Sequence, residues 1–94
     1  MIVVLSPRSS RNLIEIGRYI ARDDPDRAAR FVAELLSACD DLSTFPRAYP
    51  ADPRFGPAAR RRTLGNYHII YDVLDDRVVV LTIVHAARDP DAML

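Results

Sequence analysis

The chain has 94 residues, 49 % of them hydrophobic and 28 % charged, with thirteen acids balancing thirteen bases to a formal charge of zero. That length supports one core, so a single domain over residues 1–94 is expected. A single Cys excludes an internal disulfide framework, and one Cys with two His is a poor set for a closed zinc site, so no metal or cofactor is expected.

No apolar run approaches the roughly 20 residues that span a bilayer, so no membrane association is expected. The first residues lack the basic start and long apolar stretch of a signal peptide, and the expected location is cytoplasmic. Every cation is Arg, and there is no Lys. The zero also divides into blocks: four Arg against one Glu in 1–22 (+3), two against six in 23–46 (−4), five against one in 47–71 (+4) and two against five in 72–94 (−3). A sequence pI near 6.7 argues against strong binding to nucleic acid, which favours a clear basic excess.

Ile2-Val3-Val4-Leu5 is a short β-branched run ended by Ser6-Pro7, an N-cap followed by a first-position proline. Leu13, Ile16 and Ile20, widened by Ile14 and Ala21, then face away from Arg8, Arg11, Glu15, Arg18 and Arg22. This pattern predicts an amphipathic helix over about 7–22. Gly17 inside it points to close approach of a neighbouring helix.

Asp24-Pro25 repeats the start signal, and Ala28, Phe31, Leu35 and Leu42, flanked by Val32, Leu36 and Cys39, predict a second helix to about residue 43. The short link between the helices implies an antiparallel hairpin. Cys39 reads as a small core residue.

Residues 46–58 hold Pro46, Pro50, Pro53, Pro57 and Gly56, a stiff irregular connection whose Tyr49 and Phe55 are expected to fold back on the core. Arg60 to Leu64, Tyr67 to Val73 and Val78 to Val84 read as three strands, with turns at Gly65-Asn66 and Asp75-Asp76. The last strand is apolar at nearly every position and is expected to be central and covered on both faces. The resulting order, β-α-α-β-β-β, is an α+β fold: an N-terminal strand, an antiparallel helix pair and a three-stranded antiparallel meander.

Three features carry candidate chemistry. Alternation sends Arg60 and Arg62 to one sheet face and Arg61 to the other, where they either guard an edge or bind an anionic partner. A turn centred on 75–76 pairs residue 68 with 83 and residue 66 with 85. That register puts His68 and His85 on one face, where two imidazoles could act as acid and base on a phosphodiester. Cations for the transition state would then come from Arg62 or Arg88.

A longer pattern runs through Leu5-Ser6-Pro7, Ile14, Tyr19-Ile20-Ala21 and Asp24-Pro25-Asp26-Arg27-Ala28-Ala29. It continues in Phe45-Pro46, Tyr49-Pro50, Tyr67-His68-Ile69-Ile70-Tyr71 and Val84-His85-Ala86-Ala87-Arg88-Asp89. In this ordered set the chain resembles the RelE/ParE superfamily of bacterial type II toxins, and its ending resembles the ParE branch. The resemblance implies a toxin neutralised by a small cognate antitoxin in a hetero-oligomeric complex. ParE-like members inhibit DNA gyrase, whereas RelE-like members cleave messenger RNA in the ribosomal A site with basic sheet residues and a C-terminal Tyr.

Here His68 follows Tyr67 where the RelE pattern has Arg, and no Tyr follows Tyr71. Gyrase inhibition is therefore the leading expectation, with Arg60, Arg62 and Arg88 as target contacts. The alternative is a ribosome-dependent mRNA endoribonuclease with Arg62, His68, His85 and Arg88 at its site. An amphipathic antitoxin helix is expected in a groove edged by Tyr19, Ile20 and Phe31, although Phe31 also has the spacing of a core residue.

Overall fold

The computed structural model describes residues 1–87; Arg88 and the tail beyond it lie outside the described residues. The elements are β1 (Ile2–Leu5), α1 (Pro7–Ala21), α2 (Pro25–Asp40), β2 (Ala59–Leu64), β3 (Tyr67–Val73) and β4 (Arg77–His85), in the expected order. They form one sheet in the order β1-β4-β3-β2 with the helix hairpin against it. The β2-β3 and β3-β4 pairs are antiparallel, while β1 runs parallel to β4.

Both helix starts follow from their caps. Ser6 Oγ accepts the Ser9 N–H at 3.0 Å, the Asp24 carboxylate accepts the Arg27 N–H at 3.1 Å, and a proline opens each first turn. The last part of the expected second helix tightens into a 3-10 turn, Asp41–Ser43. A Cβ on Gly17 would stand 3.3 Å from Val32 Cγ2, so the glycine lets the two helices approach. Ile14, placed in the apolar stripe by periodicity, is instead 56 % exposed.

The core joins Leu13 and Ile16 of α1, Leu35 and Cys39 of α2, Tyr67, Ile69 and Tyr71 of β3, and Val78, Val80 and Ile83 of β4. Cys39 is the core residue expected: burial, assisted by Asp40 and opposed by Arg62, pushes its thiol up to about 11. β4 is internal in the sheet, but the cover is unequal. Val78 and Val80 are buried, whereas Val79, Leu81 and Val84 are only half-buried.

The hairpin register changes partway along. Leu74 N–H donates to the Arg77 carbonyl at 2.8 Å, and Val73 pairs with Val78, Asp72 with Val79 and Tyr71 with Val80, as the turn dictates. Leu81 then has no opposite number on β3, and Ile70 pairs with Thr82. The rest of the strand is shifted by one residue, so His68 lies opposite Val84 and Tyr67 opposite His85. The expected placement of His68 and His85 on one face is thereby corrected: they occupy opposite faces.

The cause lies outside the hairpin. Ser6 Oγ donates to the Leu81 carbonyl at 2.8 Å. Asn12 Oδ1 accepts both the Ile83 N–H at 3.0 Å and the Thr82 hydroxyl at 2.9 Å. β1 pairs with β4 only as far as Val80, so side chains of the first helix and its cap serve the edge groups that β1 leaves behind.

The proline-rich connection is tied down along the β2 edge. Pro50 O accepts the Arg61 N–H at 2.9 Å, Asp52 N–H donates to Ala59 O at 2.8 Å, and the Tyr71 hydroxyl donates to Pro46 O at 2.6 Å. Tyr49 folds back against the core as expected, and Phe55 is half-buried with the Arg54 guanidinium 5.4 Å from its ring centroid. Asp52, only 4 % exposed, accepts two 2.7 Å bonds from Arg54 and lies 3.6 Å from Arg61.

Two stability predictions follow from these ties. The bonds from Arg54 outweigh burial and hold the Asp52 carboxyl below the usual carboxylate range. Its contribution is therefore present above the unfolded value of about 3.9 and is lost as pH falls through the lower folded value. Asp52→Asn should cost about 1 kcal/mol at neutral pH, a modest figure because Arg54 is partly solvated. Urea titrations of variant and parent should converge in strong acid.

Arg62 donates to the Ala38 carbonyl at 2.7 Å and lies 5.1 Å from the Tyr49 ring centroid. Arg62→Ala should lower stability by about 2 kcal/mol through the lost carbonyl partner and packing, with Arg62→Lys recovering only part. A thermal midpoint unchanged in the alanine variant would remove this structural role.

Candidate functional site

A concave surface lies where the helix hairpin meets the far ends of β3 and β4. It comprises two adjoining clefts of about 230 Å3 each, which share Tyr19, Tyr67 and His85. Asn12, Glu15 and Ile16 of α1 line the first, with Ile83 and Val84. Ile20, Arg27, Phe31 and the Gly65-Asn66 turn line the second. Tyr19 is 54 % exposed at the rim, while Tyr67 is buried in the floor.

The floor is an aromatic row. Phe31 and Tyr67 have ring centroids 5.5 Å apart, tilted by 47°, and Tyr67 meets His85 edge-on at 5.0 Å and 87°. This row exists because of the shift at Leu81, which sets His85 directly across from Tyr67 on the helix side of the sheet.

Gly65 keeps one end open. Its φ of +57° suits glycine, and a Cβ there would contact Phe31 Cε1 at 3.6 Å. His85 Nδ1 accepts the Ala87 N–H at 3.1 Å, which puts the proton of the neutral ring on Nε2. Ala86 N–H donates to Asn66 O at 2.7 Å and anchors this wall to the β2-β3 turn.

Tyr19, Ile20 and Phe31, chosen from sequence as a groove edge, do line one cleft. Of the other chosen residues, His85 lines both clefts, and the rest are dispersed. Arg60 and Arg62 point to the helix side, and Arg61 lies opposite. Arg60 donates to Arg47 O at 3.2 Å and Tyr49 O at 2.7 Å, while Arg62 reaches Ala38 O and lies 3.8 Å from Asp41. His68, on the face away from the helices, has its Nδ1 2.8 Å from Thr63 Oγ1. Arg88 lies outside the described residues.

Sequence reasoning missed Asn12, Glu15, Arg27 and Tyr67 as groove residues. Only the turn signal at Gly65-Asn66 pointed near them. Among the described residues there is no cluster of three or more His, Cys, Asp or Glu able to hold a metal ion, and no helix long and apolar enough to cross a membrane. The groove offers an aromatic floor, an imidazole and two separated charges, a set suited to gripping a partner's side chains.

Comparison with known proteins agrees with this description. Residues 3–90 match the family model for the ParE toxin of the type II toxin-antitoxin system parDE. The chain is 43 % identical over 83 residues to "Putative toxin Y4kP" of Sinorhizobium fredii, covering 84 % of this chain and 81 % of that one. Its fold is similar to a chain from the chromosomal ParDE toxin-antitoxin system of P. aeruginosa, with a TM-score of 0.78 at 18 % identity, covering 90 % of this chain and 95 % of the other.

A chain of the RelBE2 toxin-antitoxin complex of Mycobacterium tuberculosis is also similar, with a TM-score of 0.68 at 23 % identity and coverage of 89 % and 88 %. These two likenesses concern the fold. With the family model matched over nearly the whole chain, this protein belongs to the ParE toxins of type II toxin-antitoxin systems, within the RelE/ParE superfamily.

Proposed function

We propose that this toxin arrests growth by inhibiting DNA gyrase in the cytoplasm, and that a cognate antitoxin neutralises it by laying an amphipathic helix in the groove of Tyr19, Ile20 and Phe31. The aromatic row from Phe31 through Tyr67 to His85 is the observation that carries the groove assignment. A half-exposed aromatic rim over a packed aromatic floor is the kind of surface that holds helix anchors. The ParDE and RelBE2 neighbours, both toxin-antitoxin systems, support an antitoxin partner here.

Three observations favour a protein target over a ribosomal one. The net charge is zero, whereas contact with dense phosphate favours a basic excess. His68 and His85 lie on opposite sheet faces and form no acid–base pair. Arg60 and Arg62 already donate to backbone carbonyls, and their remaining N–H groups, together with Arg88, are the proposed target contacts. The fold likeness to RelBE2 keeps a ribosome-dependent mRNA endoribonuclease as the second reading.

Purified toxin should block gyrase supercoiling or accumulate cleaved gyrase–DNA complexes, and should leave messenger RNA intact in a translation extract. Codon-spaced cleavage in that extract, abolished by His85→Ala, would reverse the order of the two readings. Tyr19→Ala should weaken antitoxin binding about tenfold in a variant that remains folded. An unchanged affinity in a folded variant would place the antitoxin helix elsewhere.

A further inference from the structure

The two halves of the groove carry opposite charge. Among the described residues, Glu15 is the one acidic or basic side chain besides His85 lining the first cleft, and Arg27 holds that place in the second. Among the described residues neither makes an ion pair within 4.0 Å. Between them lies the row of Phe31, Tyr67 and His85.

An occupant that covers this row removes water from around both charges. Stripping solvent from an unpaired charge opposes binding, so a tight occupant must supply a counter-charge at each end. Arg27 presents a planar fork that fits a carboxylate.

We propose that the antitoxin segment seated in this groove presents a carboxylate to Arg27 and a cation to Glu15, on either side of an apolar anchor over Tyr67. This rests on the reading above that the groove receives the antitoxin. The pattern fixes which way the segment runs, because the reverse direction sets acid against Glu15 and base against Arg27.

The absence of lysine from this chain makes a direct test available. R27K introduces its sole lysine, which a zero-length carbodiimide can couple only to a carboxylate in contact with it. In the purified toxin–antitoxin complex, mass spectrometry should find position 27 joined to an antitoxin Asp or Glu. Arg27→Glu and Glu15→Lys should each weaken the complex about tenfold at low salt, with the difference shrinking as salt rises.

A complex that forms with parental affinity in both charge reversals, and yields no antitoxin cross-link at position 27, would overturn the charge pattern. Tyr19→Ala separates the two failures. If it weakens binding while the reversals do not, the groove stands and the polarity is wrong. If it too is neutral, the groove assignment itself fails.

Discussion

The strand wall of the groove depends on one extra residue, Leu81, in the central strand. A two-residue turn at Asp75-Asp76 would carry an uninterrupted ladder to the end of the hairpin, and that ladder would turn His85 away from Tyr67. The bulge reverses the parity of the last four residues and brings the imidazole edge-on to Tyr67. Its position is held by α1 and its cap: Ser6 takes up the Leu81 carbonyl while Asn12 accepts from the next two residues. A helix cap, a sheet edge and a groove wall therefore share one small set of hydrogen bonds. Ser6 joins two of these roles, since its hydroxyl both receives the helix N–H and donates to the strand.

The all-arginine charge complement acquires a structural meaning in the same way. α2 ends without a basic residue in its last turn, which leaves the negative end of its dipole without a local cation. Arg62 supplies that cation from β2, reaching Ala38 O while its guanidinium lies against Tyr49. Arg60 does the same for the connection by holding the Arg47 and Tyr49 carbonyls. A planar guanidinium can hydrogen-bond and stack on a ring at once, which an ammonium point charge does less well. The alternating charge blocks thus meet in space, as where Arg62 of the third block approaches Asp41 of the second.

What the sequence disclosed follows from the range of the forces involved. Ser6-Pro7 and Asp24-Pro25 act within one turn, so both helix starts were legible. Gly65-Asn66 and Asp75-Asp76 are equally local, so the strands and their order were legible too. The bulge was not, because it depends on Ser6 and Asn12 meeting a strand about 70 residues away, and no local pattern records that. The error over His68 and His85 descends from this one long-range contact. Tyr19, Ile20 and Phe31 were recognisable as one edge of the groove from helical spacing. Tyr67 was hidden because its alternation with Ile69 and Tyr71 is also that of an ordinary core strand.

Recognition in a groove at this joint would be linked to stability. A domain of this size buries a modest share of its surface, so its folded state has little margin of its own. The helix hairpin meets β4 through Leu13, Ile16 and the Asn12 bonds, and the groove opens directly beside that seam. A partner filling it touches α1, α2 and both long strands at once, and so binds the folded arrangement in preference to the unfolded chain. By mass action such a partner adds about 4 kcal/mol at a thousandfold excess over its dissociation constant. A surface that recognised a partner here would also be the one through which that partner holds the two layers together.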